Sequence, residues 1–207
     1  MRPLAVPDAW VASPPSFNDH RGSFHEWFRG DDVRTVTGRP FHLAQANCSV
    51  SRRGVVRGIH FADVPPGQAK YVTCVRGAIR DVVVDLRTGS PSFGVWDTVR
   101  LDEENRRAVL LSEGLGHGFQ ALTGDATVVY LTTSGYDASR EHAVDPFDTR
   151  LGIAWDAGIT PLLSAKDAAA LSLTAAEAAG VLPAYAACVT LSTDGGTSPP
   201  TDPKESL

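Results

Sequence analysis

Cysteine is scarce in this 207-residue chain. Cys48, Cys74 and Cys188 are odd in number, widely spaced and form no C-x-x-C. They give no sign of a disulfide framework and no local signature of a catalytic thiol, and they fit reduced thiols in a cytoplasm. No stretch approaches the roughly 20 apolar residues needed to span a bilayer. The opening residues, MRPLAVPDAW, hold no apolar run of signal-peptide length. A cytoplasmic location without membrane contact is therefore expected. Positive charge is not in excess: 19 Lys and Arg against 24 Asp and Glu give a net charge of −5. General attraction to nucleic acid is excluded, and an anionic ligand would need a local cluster of cations. There is no G-x-G-x-x-G loop and no H-x-H pair. Metal-binding barrels commonly combine H-x-H with a Glu and a later His. After His60 come Phe61 and Ala62, with no carboxylate at the usual spacing. Neither a cofactor nor a metal is expected.

What is abundant is turn chemistry. Nineteen glycines and 14 prolines are too many for a helical bundle and suit short strands joined by turns. Val6 to Val11 reads as a first strand, Asn18 to Gly22 as a turn, and Asp31 to Thr37 as one short helix. Leu43 to Val50 alternates as a strand, with Leu43, Gln45, Asn47 and Ser49 on one face and Ala44, Ala46, Cys48 and Val50 on the other. The first face is mostly polar, which suits a binding surface. From Gly54 to Thr133 strand follows strand. Lys70 to Val75 and Ile79 to Leu86 flank Arg76-Gly77-Ala78, a hairpin signal. Gly94 to Leu101, Ala108 to Leu111, Gly118 to Leu122 and Thr127 to Thr132 come after. No helix of a dozen residues separates them, so a sandwich or barrel is expected rather than a parallel α/β fold. Ser164 to Ala179 reads as one or two short helices, with Ser164 as N-cap and Asp167 in the first turn. Residues 1–190 form one expected domain, and the polar, Pro- and Gly-containing stretch 191–207 an expected disordered tail.

Few residues stand out as carriers of chemistry. His60, in Arg57-Gly58-Ile59-His60-Phe61, can act as a base near neutral pH. An isolated histidine is more often a hydrogen-bonded surface or core residue, but Arg57 and Lys70 lie close by in sequence. Three basic groups in one short stretch of an acidic chain suggest an anionic ligand or intermediate. Gly114-Leu115-Gly116-His117-Gly118-Phe119 lacks phosphate-loop spacing. It reads as a tight turn entering a strand, or as a way of placing His117 in a barrel mouth as a donor. Tyr130 lies on an expected strand, Tyr136 opens a loop, and Asp167 has helix capping as its ordinary role. None of these three is specific alone.

Eight ordered motifs together are specific. They are Asp19-His20-Arg21-Gly22-Ser23-Phe24-His25-Glu26, Gln45-Ala46-Asn47-Cys48-Ser49, Gly54-Val55-Val56-Arg57-Gly58-Ile59-His60-Phe61, Gly67-Gln68-Ala69-Lys70, Asp85-Leu86-Arg87-Thr88-Gly89-Ser90-Pro91, Gly116-His117-Gly118-Phe119, Tyr130-Leu131-Thr132-Thr133 and Leu163-Ser164-Ala165-Lys166-Asp167. From about Leu4 to Tyr185 the chain resembles the dTDP-4-dehydrorhamnose 3,5-epimerase family, especially its antibiotic-sugar branch. The resemblance implies an all-β, cupin-like jelly-roll barrel with short C-terminal helices. It implies a homodimer with an exchanged N-terminal strand and a dTDP-4-keto-6-deoxyhexose substrate. It gives His60 the role of base, Asp167 that of its partner, Lys70 that of enolate stabiliser and Tyr130 that of acid on the opposite face. Substrate contacts carry over to Arg21, Phe24, Glu26, Gln45, Asn47, Arg57, His117 and Tyr136, with Arg21 and its neighbours serving the partner subunit. Two departures, Ala62 where many relatives have Gln and Pro65-Pro66-Gly67 where a His is common, resemble the antibiotic-sugar branch and bear on which carbon is inverted.

These roles are chemically coherent. A C–H beside a ketone becomes removable when a placed cation stabilises the enolate oxygen. A neutral imidazole can take the proton, a carboxylate can support the imidazolium, and a tyrosine hydroxyl can return a proton from the other face. Arg21 and Arg57 offer forks for a pyrophosphate. Inversion at C3, with C5 slower or absent, is the expected outcome. Competing readings are a 3,4-ketoisomerase of the same sugars, a 5-epimerase of a more deoxygenated 4-keto sugar, a metal-dependent barrel isomerase or dioxygenase, and a non-catalytic sugar-binding barrel.

Overall fold

The computed structural model describes residues 1–193. The chain runs through β1 (Arg2–Pro3), β2 (Ala9–Ala12), β3 (Phe17–Asp19), β4 (Gly22–Phe24), α1 (Gly30–Thr37), β5 (Gln45–Ser51), β6 (Val56–Ala62), β7 (Lys70–Arg76) and β8 (Ala78–Asp85). It continues through β9 (Trp96–Asp102), β10 (Ala108–Leu111), β11 (Leu115–Ala121), β12 (Ala126–Thr132), β13 (Glu141–Ala143), α2 (Ala165–Ala168), α3 (Leu173–Ala179) and α4 (Tyr185–Thr193). The strands form a six-stranded sheet in the order β1-β2-β10-β7-β12-β5, a five-stranded sheet in the order β13-β6-β11-β8-β9, and a small β3-β4 hairpin. The two larger sheets remain separate rather than closing into one barrel, and the fold is a cupin-like jelly roll.

Alternation explains the layers. Along β8, Ile79 and Val83 face the space between the sheets, where they meet Val72, Cys74, Val109, Leu111, Leu115, Phe119 and Val128. The intervening Val82 and Val84 pack outward against Leu151, Leu173, Ala176 and Leu182. Both faces of β8 are thus covered, which is why the strand is apolar on both. The outer face of the six-stranded sheet is covered by the segment around α1: Trp27, Phe28, Val33 and Phe41 lie on Tyr71, Leu110 and Leu131. Phe28 meets Tyr71 and Phe41 edge-on, with ring centroids 5.2 and 5.5 Å away, a favoured aromatic geometry.

Several expectations change. Arg76-Gly77-Ala78 does not close a hairpin: β7 belongs to one sheet and β8 to the other. Gly77, at φ +70°, turns the chain between sheets, and a Cβ there would lie 2.3 Å from Thr123 Oγ1. The expected first strand at Val6–Val11 is replaced by β1 and β2, with Val6 buried in the loop between them. The strand expected from Gly118 begins at Leu115. There Gly116 and Gly118 sit within β11 because a Cβ at either would strike Ile59. α4 and β13 carry no local signal strong enough to predict. α4 extends to Thr193, past the domain boundary drawn at residue 190; the remainder of the tail lies outside the described residues. Among the described residues no helix is long and apolar enough to cross a membrane.

Candidate active site

The main cleft has a volume of about 540 Å³. Its walls come from both sheets. β5 supplies Gln45 and Asn47, β7 supplies Lys70 and β12 supplies Tyr130. From the other sheet β6 supplies Arg57 and His60, and β13 supplies Glu141. Asp167 and Lys166 enter from α2, and Tyr136 from the loop after β12.

The local fold aims each group. β5 alternates as its sequence suggests: Gln45, Asn47 and Ser49 are half-buried, while Ala46, Cys48 and Val50 are exposed. The polar face is therefore the inner one. Asn47 lies opposite Tyr130, and Ser49 opposite Val128 one step deeper. On β6, a strict period of two would send Arg57 and His60 to opposite faces. They share the cleft because the ladder slips: His60 is opposite His117 and Arg57 opposite Phe119, so three steps on β6 match two on β11. This β-bulge re-aims a side chain as bulges beside sites do. Gly58 is the residue that permits it. Its φ is +111°, and a Cβ would lie 2.6 Å from the His117 carbonyl oxygen and 2.7 Å from Gly118 Cα.

Asp167 Oδ1 accepts from His60 Nε2 at 2.6 Å. Its other oxygen, Oδ2, accepts from the Ser164 hydroxyl at 2.8 Å, and its backbone N–H donates to Ser164 Oγ at 3.0 Å. Ser164 is thus the N-cap expected of it, and the cap fixes the carboxylate. Burial would raise the Asp167 carboxyl, but the bonds from His60 and Ser164 outweigh it and hold the group below the usual range. An ionised carboxylate can only accept, so Nε2 carries the hydrogen and Nδ1 keeps its lone pair. Asp167 is 5% exposed, while the His60 side chain is 33% exposed and open to the cleft.

Lys70 is buried at 9% exposure. Burial lowers its basicity from the ordinary lysine range, opposed by the negative charges of Glu141 and Asp81. Tyr130 is shifted upward, chiefly by burial and then by Glu141, with Arg57 acting the other way. Its hydroxyl is thus held in the protonated form. Arg57 donates to Ser51 Oγ through Nε at 3.2 Å, which leaves the rest of its guanidinium fork to face the cleft. Gln45 accepts from the Tyr136 backbone N–H at 2.8 Å and donates to Asn47 Oδ1 at 2.6 Å, so the β5 amides are tied to the loop after β12.

The structure brings His60, Lys70, Tyr130, Asp167, Gln45, Asn47, Arg57 and Tyr136 to this one cleft. It does not bring all twelve expected residues there. His117 does not line the cleft; it is buried beneath it, bonded through Nε2 to Asp81 Oδ2 at 2.8 Å. An inward-facing carboxylate on the neighbouring strand takes one of the two His117 ring nitrogens. Arg21, Phe24 and Glu26 lie on and just after the exposed β3-β4 hairpin, outside the cleft. Arg21 pairs with Asp19 at 2.6 Å and Glu26 with Arg29 at 2.6 Å. Sequence reasoning missed Glu141 and Lys166. Glu141 sits on a strand too short to show a pattern; Lys166 was readable only as the neighbour of Asp167. Among the described residues no group of three or more His, Cys, Asp or Glu side chains is arranged to hold a metal ion.

Residues 3–175 match the family described as dTDP-4-dehydrorhamnose 3,5-epimerase. The chain is 57% identical over 188 residues to a dTDP-4-dehydrorhamnose 3-epimerase of Streptomyces niveus, covering 91% of this chain and 90% of that one. It is 54% identical to a dTDP-4-dehydrorhamnose 3,5-epimerase of Mycolicibacterium smegmatis, covering 90% and 92%. Among solved structures it is similar to ChmJ, a 3'-monoepimerase from Streptomyces bikiniensis in complex with dTDP-quinovose. There the TM-score is 0.92 at 52% identity, covering 94% of this chain and 98% of that one.

Proposed function

The chain belongs to the dTDP-4-dehydrorhamnose 3,5-epimerase family, and from that premise we propose that it inverts C3 of dTDP-4-keto-6-deoxy-D-glucose, in deoxysugar biosynthesis for antibiotic glycosylation. One observation carries the reading: a carboxylate-backed imidazole, a buried amine and a tyrosine hydroxyl line a single cleft from separate structural elements.

The steps follow from these groups. His60 Nδ1 takes the proton from C3, and the electron pair of that C–H bond moves to the C4 oxygen. Lys70, stripped of most of its water, stabilises the charge that develops there, where a cation is worth more than in bulk solvent. Asp167 supports the imidazolium formed on His60. The enolate then collapses to the ketone as C3 takes the Tyr130 hydroxyl proton from the opposite face, and the configuration is inverted. No redox step occurs, and the carbonyl needs no metal because Lys70 polarises it. Gln45, Asn47, Arg57 and Tyr136 bind the nucleotide diphosphate end, with the Arg57 fork on phosphate oxygens.

Relatives of nearly equal identity are named as 3-epimerases and as 3,5-epimerases. We favour C3 because Ala62 and Pro65-Pro66-Gly67 follow the antibiotic-sugar pattern. A second inversion would require the ring to bring C5 within hydrogen-bond reach of both His60 and Tyr130, roughly 2.6–3.2 Å. The enzyme works in the cytoplasm as a homodimer, in which Arg21, Phe24 and Glu26 of each subunit contact the partner's nucleotide. The exposed position of the β3-β4 hairpin supports this.

The test is NMR of the dTDP-4-keto sugar incubated with enzyme in D2O. Deuterium is expected at C3 first and at C5 little, if at all, and His60→Ala is expected to lose C3 exchange while still binding dTDP. Equal early labelling at both carbons would establish a 3,5-epimerase. Migration of the carbonyl would establish a ketoisomerase.

A further inference from the structure

A catalyst that takes a proton on one side and gives one from the other does not end a turnover as it began. After inversion at C3, His60 holds the substrate's proton and Tyr130 has lost its own. One proton must travel from the imidazolium to the phenolate before the next substrate can react. While a nucleotide sugar fills the cleft, its open side is a poor route.

The structure contains a second route. Beneath the cleft lies a smaller cavity of about 140 Å³, lined by Ser49, Arg57, His60, Lys70, His117, Phe119, Val128 and Tyr130. It touches both the proton acceptor and the proton donor. Its other walls run into the core: Phe119 and Val128 belong to the cluster between the sheets, and His117 is buried. A water needs roughly 10–15 Å³ of such space and two or more polar partners, so the chamber has room and donors for several. Two buried side-chain polar atoms lack a partner among the described residues, and one of them faces this chamber while the other lies behind His117. Ser49 Oγ lines it directly, on the inner face of β5, one step below Asn47 and opposite Val128. Asp81 Oδ1 belongs to the carboxylate that binds His117 through its other oxygen. A buried hydroxyl without a partner is costly, and water in this chamber would supply the missing bond.

Resting on the assignment of His60 as base and Tyr130 as acid, we propose that this chamber is the proton return path. Water held by Ser49, Lys70 and His117 carries the proton from the His60 imidazolium to the Tyr130 phenolate after each inversion. The step balances: one N–H bond breaks at His60, one O–H bond forms at Tyr130, and opposite charges cancel. Ser49 is then a positioning residue that acts through water on the reset step and not on C–H cleavage.

The experiment compares Ser49→Val with Ser49→Thr, which have nearly the same shape and differ in the hydroxyl. With enzyme in excess over dTDP-4-keto-6-deoxyglucose in D2O, rapid quench and mass spectrometry read the first turnover; with substrate in excess they read steady state. The first-turnover rate of Ser49→Val should match wild type while its kcat falls about tenfold, the weight of one lost hydrogen bond. It should also show a burst of one product per site. Ser49→Thr should show neither the fall nor the burst. Equal slowing of first turnover and steady state would mean a merely structural role, and no change in either would mean reset through bulk solvent; both overturn the proposal. His60→Asn separates the premise from the proposal. If that variant keeps wild-type first-turnover exchange at C3, the assignment of the base is wrong, whatever Ser49 does.

Discussion

His60 and Asp167 lie 107 positions apart in the sequence and meet at 2.6 Å. The bond joins the middle of a sandwich to a four-residue helix that follows it, and the N-cap hydroxyl of Ser164 holds the far oxygen of the same carboxylate. One carboxylate thus orients the ring, fixes its tautomer and completes a helix cap.

Asp167→Asn should lower kcat on the order of 10²-fold or more, because an amide cannot support the imidazolium. Ser164→Ala should lower it less. The Asp167 carboxyl lies below its ordinary value in the folded state. Its contribution to stability is therefore complete above the unfolded value of about 3.9 and is lost as pH falls through the lower folded value. Urea midpoints should show wild type ahead of Asp167→Asn at pH 7, with the gap closing as the solution is acidified. A gap that widens on acidification would contradict the sign of that shift.

Lys70→Met keeps the length and apolar stem of the side chain and removes its charge. The rate of C3 exchange should drop by about 10²- to 10³-fold, as for loss of one group that stabilises an oxyanion. The dissociation constant for dTDP, read by calorimetry, should hardly move, since the proposed mechanism sets Lys70 at the hexose end. A large loss of dTDP affinity at unchanged exchange rate would move Lys70 out of the chemistry.

Gly58→Ala introduces a Cβ into the His117 and Gly118 backbone at a φ of +111°. Destabilisation by upwards of about 1 kcal/mol is expected, together with lower kcat/KM, since relaxing the bulge turns Arg57 away from His60. Chemical denaturation and steady-state kinetics on the same preparation check both. A stable, fully active variant would show that the bulge is not needed.

Chelation should leave activity intact. In the proposed mechanism Lys70 supplies the positive charge that a metal would otherwise bring to the carbonyl oxygen. Turnover after exhaustive dialysis against a chelator, with and without added divalent ions, decides the matter; activity that disappears and returns with one ion would refute it.

The dimer can be tested by complementation. Arg21→Ala and His60→Ala subunits should each be nearly inactive alone. If Arg21 serves the partner's nucleotide, mixed dimers hold one intact site, and activity should reappear on mixing. Continued inactivity in mixtures shown to contain heterodimers would place Arg21 at its own subunit's site or at none.

The sequence by itself determined much of the local order. The polar inner face of Gln45, Asn47 and Ser49, the Ser164 cap, the helix from residue 31 to 37 and the run of short strands follow from side-chain period and turn chemistry, which act over a few residues. The eight motifs also contain most of the polar residues of the cleft, though not Tyr136 or Glu141. Tertiary structure alone decided three other things. Arg76-Gly77-Ala78 has the composition of a hairpin, yet burying both faces of β8 sends it to the other sheet. His117 stands beside no partner in the sequence, but Asp81, 36 residues earlier, faces inward on the adjoining strand and holds its Nε2. Arg57 and His60 share one face only because pairing with β11 slips by a residue at Gly58. Pairing, burial and register are set by surfaces far apart in the chain, and no local pattern of residues encodes them.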